Sequence, residues 1–383
     1  MRNIYSLLFL LVSPFFGYGQ KADSLHNASL VIDTHNDVLI SSIMEGKDIT
    51  KNVSGGHTDI PRLFKGGVNG QFFSVWCGPE YGKGKAFAYA NRQIDSLMSI
   101  IHHNPNEMML ATSKADIIKA AEQRKIAAFI GVEGGHMIED NLIYLDSLYK
   151  RGVRYLTLTW NNSTKWATSA SDENNPKLKL KHKGLSEFGK ELVHHMNELG
   201  MMVDLSHVGR QTFFDAIEAS SKPIIVSHSN AYTIAPVSRN LKDDQIRAVA
   251  KNGGVICVNF YSAFLDENFN KKRDQLFFST VPKNQQKGVK GDNRFYKLSA
   301  EAKEQLRPPL SKVIDNIDYI VNLIGIDYVG IGGDFDGVES TAKGLDDVSS
   351  YPAITKALIE RGYNEKNIQK ILGANVLRVL EAQ

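Results

Sequence analysis

Eight short apolar runs recur along the chain, at residues 30–37, 70–76, 126–133, 155–160, 202–205, 223–227, 255–259 and 328–332, and helical spacing fills most of the intervals between them. A strand, a helix and a second strand in succession commit the two strands to run parallel, because the crossover must pass over one face of the sheet. Eight such units match a (β/α)8 TIM barrel, whose strands all deliver their C-terminal ends to one mouth. An open doubly wound sheet is the competing architecture. No early strand is followed by the Gly-x-Gly-x-x-Gly that its nucleotide-binding form uses to cradle phosphate.

The helical stretches carry their own punctuation. Residues 86–102 repeat apolar side chains at helical spacing (Phe87, Ala90, Ile94, Leu97, Ile101), residues 143–151 close at Gly152, and residues 186–199 stop at Gly200. Further helices are predicted at 112–123, 211–220, 243–251, 311–323, 351–361 and 365–380. Between 266 and 307 the pattern breaks into a polar, charge-rich stretch that ends at Pro308-Pro309. Such a break reads as an insertion on a βα loop, at the end of a barrel where active sites lie. Residues 20–383 are therefore expected to form a single barrel domain, since α/β barrels often exceed ~250 residues.

With 42% apolar and 23% charged residues and a formal charge of +3, the composition is that of an ordinary globular protein. There is no basic patch interleaved with aromatics, which argues against a nucleic-acid partner. Residues 1–19 differ from the rest. Arg2 precedes an apolar run at 4–16, and Gly17-Tyr18-Gly19 offers small residues at a cleavage site. This layout predicts a secretory signal peptide and an exported, soluble mature protein, periplasmic or secreted. No Cys adjoins the cut and residues 377–383 form no long apolar tail, so no membrane anchor is expected. Cys77 and Cys257 sit in apolar, strand-like stretches and are expected to be unpaired core residues.

Five strand ends carry candidate ligands: His35 with Asp37, Glu133, His207, His228 and Asp334. Alternation along a strand places Asp33, His35 and Asp37 on one face. Each residue alone could be a hydrogen-bonded core group, but a barrel would bring them all to one place. Imidazole and carboxylate without thiolate suit zinc, with manganese, iron and cobalt also open. Three histidines and two carboxylates exceed the ligand set of one catalytic zinc. They suit two metals bridged by a carboxylate, and Glu133 has the two oxygens and the reach to bridge.

Five segments, Asp-Thr-His-Asn-Asp at 33–37, Gly-Val-Glu-Gly-Gly-His at 131–136, Asp-Leu-Ser-His at 204–207, Ser-His-Ser at 227–229 and Gly-Gly-Asp-Phe-Asp-Gly at 332–337, together resemble the renal or membrane dipeptidase family of zinc peptidases, family M19. The resemblance runs in order from residue 30 to about residue 381. It implies a (β/α)8 barrel with two Zn2+ per chain, His35 and Asp37 on the first, His207 and His228 on the second, and Glu133 between them. A small dipeptide would be the substrate, cleaved by a metal-bridging hydroxide. Asp334 and Glu133 would be the catalytic carboxylates, Asp334 lying beside the water and the substrate's amino end. Arg239 would receive the free carboxylate. A homodimer is left open.

Two positions depart from the family's pattern. Trp160 stands where the mammalian enzymes carry a histidine, and Phe264 where they carry a substrate-contacting tyrosine. Trp160 keeps one N–H for the substrate and Phe264 has none, and loss of a transition-state donor can cost ~10²–10³ in rate. Asn161, or a residue of 266–307, is the candidate replacement. Three alternatives stay open: a related barrel hydrolase acting on another amide, lactam or lactone; a non-catalytic binding protein; and a structural zinc protein.

Overall fold

Ile126–Glu133 is buried along its whole length, as expected of a parallel strand covered on both faces. It belongs to a sheet of nine strands in a computed structural model that describes residues 14–180 and 182–383. Most of the predicted signal segment, residues 1–19, lies outside the described residues. In chain order the strands are β1 (Val31–Asp33), β2 (Val68–Trp76), β3 (Met108–Leu110), β4 (Ile126–Glu133), β5 (Val153–Thr157), β6 (Met202–Asp204), β7 (Ile225–Val226), β8 (Val255–Val258) and β9 (Val329–Ile331). Every pairing is parallel, and β2–β4 and β1–β9 contacts close eight of the strands into a ring. The result is a (β/α)8 TIM barrel.

β3 is the ninth strand and was not expected. It pairs with β4 at Ile126–Ala128, on the edge that β5 takes over from Ile130 onward. Three residues between two helices are too few for a periodicity to register. At the other end the strands are shorter than the apolar runs suggest. β1 stops at Asp33 and β5 at Thr157, and the backbone groups that follow bond to the last residues of the neighbouring strands or to the loop after β9. Thr34 N–H donates to Ile331 O, Asp37 N–H to Phe335 O, and Leu158 N–H to Asp204 O.

Seven of the eight barrel strands send an apolar side chain inward, and β9 places Gly330 there against Cys257 and Val376. Ile32, Phe72, Phe129, Tyr155, Met202 and Ile225 join Val255 and Cys257 in the inner layer. The C-terminal helix Asn375–Glu381 adds Val376 and Leu380 to this layer. Arg378 on that helix donates to Gly253 O and Gly254 O at the start of β8, so the helix closes the N-terminal end of the barrel. A larger apolar cluster fills the space between strands and outer helices. Both cysteines are buried and unpaired. Among the described residues no helix is long and apolar enough to cross a membrane.

The 266–307 stretch follows β8 and folds into four helices: Phe269–Thr280, Lys283–Gln286, Asn293–Tyr296 and Ala300–Leu306. Phe269, Phe277, Val281, Phe295, Leu298 and Leu306 form a separate small core. No helix contributes more than two of these side chains, Lys283–Gln286 contributes none, and Val281 and Leu298 lie between helices, which is why no helical period appears in the sequence. Tyr261 and Phe264 pack against that core from the barrel side. Arg273, only 4% exposed, ties the insertion to the barrel through Glu339.

Candidate active site

The predicted ligands meet at the mouth. His207 Nε2 lies 2.8 Å from Glu133 Oε1, and His228 Nε2 lies 3.6 Å from the same oxygen. On the other side, His35 Nε2 is 3.5 Å from Glu133 Oε2 and 3.4 Å from Asp37 Oδ2. Ligand atoms of His35, Glu133 and His228 fall within 4.8 Å of one another, as do those of His35, Asp37 and Asp334. All six side chains are buried.

Each histidine is oriented through its other nitrogen. Tyr155 Oη donates to Thr34 O, which leaves its lone pair to accept from His35 Nδ1 at 2.9 Å. Ser227 Oγ donates to Asp204 Oδ2 and so accepts from His228 Nδ1, also at 2.9 Å. His207 Nδ1 donates to Asn161 Oδ1 at 3.1 Å. Three Nδ1–H groups are spoken for, and three Nε2 lone pairs are turned toward Glu133. This is the arrangement by which metal-binding histidines are usually held. Asp204 anchors the second pair: besides Ser227 it accepts from Thr157 Oγ1 at 2.6 Å and from the Ser206 and Ser227 N–H groups.

The backbone is strained where it aims these groups. His207, Asp334 and Asp336 all hold positive φ, at 65°, 60° and 67°. Non-glycine residues adopt that region at a cost of ~1–3 kcal/mol each. Hydrogen bonds such as Asp334 N–H to His35 O hold them there.

Burial, reinforced by Arg239, lowers His207 to about 4. Burial, then His35 and Arg239, holds His228 well below the ordinary imidazole range. Burial opposes ionisation of Glu133, but His35 and His207 outweigh it and keep the carboxyl well below its usual range. Two neutral imidazoles and an ionised carboxylate are the protonation states a metal needs. Burial, with Asp37 and Glu133 nearby and His35 opposing, pushes Asp334 up to about 8; bound cations would draw it down again.

Two observations test the fit of metal. His35 Nε2 and Asp37 Oδ1 are buried without a hydrogen-bond partner, although such atoms are normally paired. Oxygen and imidazole donors without sulfur suit zinc and its neighbours. The residues fit a metal centre.

The remaining predicted residues divide. A cavity of about 270 Å³ opens above Asp37, Glu133 and His207 and is lined also by Asp334, Trp160 and Asn161. Trp160 leans on Trp76, with ring centroids 4.7 Å apart. Asp334 Oδ2 accepts from Asn259 Nδ2 at 2.8 Å. Arg239 does not line the cavity. Its guanidinium donates to Ser229 Oγ and His228 O, and the Phe264 ring lies over it at 5.2 Å. Sequence reading missed Trp76, Tyr261, Asp292 and Glu339 as wall residues. Trp76 ends β2 beside Glu133 and could have been read from the strand; Tyr261, Asp292 and Glu339 reach the cavity from loops and from the insertion, where no strand register announces them. Asp204 could have been found, because it ends β6 as Asp33 ends β1, each just ahead of a candidate ligand histidine.

A closed parallel barrel with imidazoles and carboxylates gathered at its C-terminal mouth defines a metal-dependent hydrolase of the TIM-barrel class. The sequence model of the membrane dipeptidase family, peptidase family M19, matches residues 19–383, and the chain belongs to that family. It is thus a metal-dependent dipeptidase. Among solved structures it is similar to the probable dipeptidase PvdM from Pseudomonas aeruginosa, with 26% identity and a TM-score of 0.79 over 97% of this chain and 99% of that one. A Rhodobacter sphaeroides metallo peptidase, liganded with a phosphinate mimic of the dipeptide L-Ala-D-Ala, aligns at 24% identity and TM-score 0.75 over 92% and 99% of the two chains. A Pseudomonas aeruginosa amidohydrolase aligns at 24% and 0.72 over 94% and 98%.

Proposed function

We propose that the protein hydrolyses free dipeptides with two zinc ions, one held by His35 and Asp37, the other by His207 and His228, with Glu133 shared between them. The observation that carries this reading is the convergence of three Nε2 atoms on the two oxygens of Glu133. When bound, such a pair of cations supplies Lewis acidity, making water a nucleophile near neutral pH and easing charge onto the carbonyl oxygen.

The chain's own groups handle protons and position. Asp334, fixed by Asn259, accepts the proton of the attacking water and delivers it to the departing amine nitrogen. Its carboxylate also faces the substrate's ammonium. Arg239 serves the C-terminal carboxylate, which requires the Phe264 ring to turn off the guanidinium. Its fork of donors matches a carboxylate, and its Nε is buried without a partner. Trp160 forms the opposite wall with Trp76. Asn161, which reaches the cavity while holding His207, is the group best placed to donate to the carbonyl in place of the family's histidine. The 266–307 insertion narrows the mouth through Asp292 and through Tyr261 and Phe264, which pack against it. Residues 1–19 direct this activity out of the cytoplasm.

The test is a panel of dipeptides, tripeptides, lactams and lactones assayed with zinc and with a chelator. Zinc-dependent cleavage confined to dipeptides is expected. Cleavage of cyclic amides alone would replace this reading with the related barrel-hydrolase one.

A further inference from the structure

The cavity carries more negative charge than a dipeptide's own backbone can use. Besides Asp37, Glu133 and Asp334, its lining includes Asp292, Asp336 and Glu339, and no lysine or arginine. Asp37 and Glu133 belong to the metal centre and Asp334 to the water and the ammonium. Of the other three, Asp292 and Glu339 share one cation. Arg273 Nη1 sits 2.7 Å from Asp292 Oδ1 and 3.3 Å from Glu339 Oε1, while its Nε turns to Asp274. Arg294 is occupied by Asp274 as well. Asp336 forms no ion pair among the described residues. Its Oδ1 accepts from His57 N–H, and its Oδ2 is buried with no donor.

Glu339 is the sharpest case. It is 8% exposed, and both of its donors, Tyr261 Oη at 2.9 Å and Arg273, go to Oε1. Oε2 receives nothing among the described residues. Burial and the nearby Asp292 push this carboxyl up to about 7, the mark of a charge without sufficient compensation. A desolvated carboxylate with a free oxygen on a substrate cavity is a receptor for a cation. Trp76 and Trp160, which line the same cavity, present tilted rings, a surface that takes both a methylene stem and a positive charge.

We infer that the cavity selects dipeptides bearing a lysyl or arginyl side chain, with the stem on the Trp76–Trp160 wall and the cationic head on Glu339, Asp292 and Asp336. This rests on the dipeptidase reading and adds the class of its substrate. Glu339 and Asp292 are the specificity-determining residues. A neutral side chain leaves their charge unmet, and a glutamyl side chain is repelled.

The experiment measures kcat/KM of the zinc-loaded full-length enzyme for dipeptides that pair alanine with lysine, arginine, norleucine or glutamate, in both orders. Norleucine has an unbranched aliphatic stem and no ammonium. The lysyl or arginyl substrate of one order is expected to exceed its norleucyl counterpart by about tenfold or more, chiefly through KM, with glutamate lowest. In Glu339→Gln that ratio falls toward one. Asp292→Asn, at a side chain 65% exposed where the amide keeps an acceptor oxygen for Arg273, lowers it part of the way. Equal lysyl and norleucyl values in both orders, or a ratio that survives both substitutions, overturns the inference and leaves the dipeptidase reading standing. Failure to cleave any dipeptide overturns the dipeptidase reading, and this one with it.

Discussion

His207 Nε2 and His228 Nε2 lie 2.9 Å apart, each on a ring whose Nδ1–H is already committed to another partner. Two lone pairs at that distance repel unless a cation lies against them. A metal bound there would therefore be coupled to stability. Removing metal by dialysis against a chelator is expected to lower the unfolding temperature by several degrees, and added zinc to restore it; a ligand at 1,000 times its Kd contributes about 4 kcal/mol. Thermal unfolding with and without zinc checks this, and an unchanged midpoint contradicts it.

Asp204 holds Ser227, which holds His228, so its effect reaches the metal without touching it. Asp204→Asn replaces an acceptor oxygen with a donor facing Ser and Thr hydroxyls. Zinc affinity is expected to fall by about 10–100-fold, the usual size of such supporting effects. Competition against a chromophoric chelator measures it.

Asp334→Asn keeps shape but removes the proton acceptor. The expected loss in kcat is about 10²–10⁴-fold with zinc content nearly unchanged and KM raised, since the carboxylate also faces the substrate's ammonium. Should activity stay within a few-fold of wild type, Asp334 is not the proton carrier.

Arg239→Lys exchanges a planar fork for a point charge beneath Phe264. KM for a dipeptide is expected to rise about tenfold, while hydrolysis of the corresponding dipeptide amide, which lacks the carboxylate, changes little. Equal effects on both substrates would mean that Arg239 acts on the metal centre through His228, not on the substrate.

Glu339 titrates at about 7 because burial and Asp292 disfavour its charge; Tyr261, Arg273 and Asp292 face it from the cavity side, and His57, Lys303, Glu304 and Arg307 line the adjoining space. Since its pKa is raised, the carboxyl is neutral below that pH and charged above it. The lysyl-to-norleucyl ratio of kcat/KM should climb between pH 6 and 8 in wild type and stay flat in Glu339→Gln. Taking the ratio removes titrations at the metal centre, which both substrates share.

The barrel was legible because buried parallel strands write themselves as apolar runs, and the cluster of His, Asp and Glu at the mouth because each stands at or just past the end of such a run. Asp33, which alternation places on the face of His35 and Asp37, accepts from His35 N–H and Gly333 N–H. What was not legible lay off the strands. The 266–307 stretch hides a small core among Lys, Asn and Gln, and its contribution to the cavity depends on Arg273 finding Glu339 across 66 residues. Phe264 could be aligned with a family tyrosine, yet its place over Arg239 depends on the turn at Tyr261.

The most direct measurement titrates zinc into the metal-free enzyme while following cleavage of a dipeptide. Activity should rise from the baseline and level off at two zinc ions per chain. Cleavage that persists in metal-free protein, or metal uptake to two per chain with no dipeptide cleaved, contradicts the assignment.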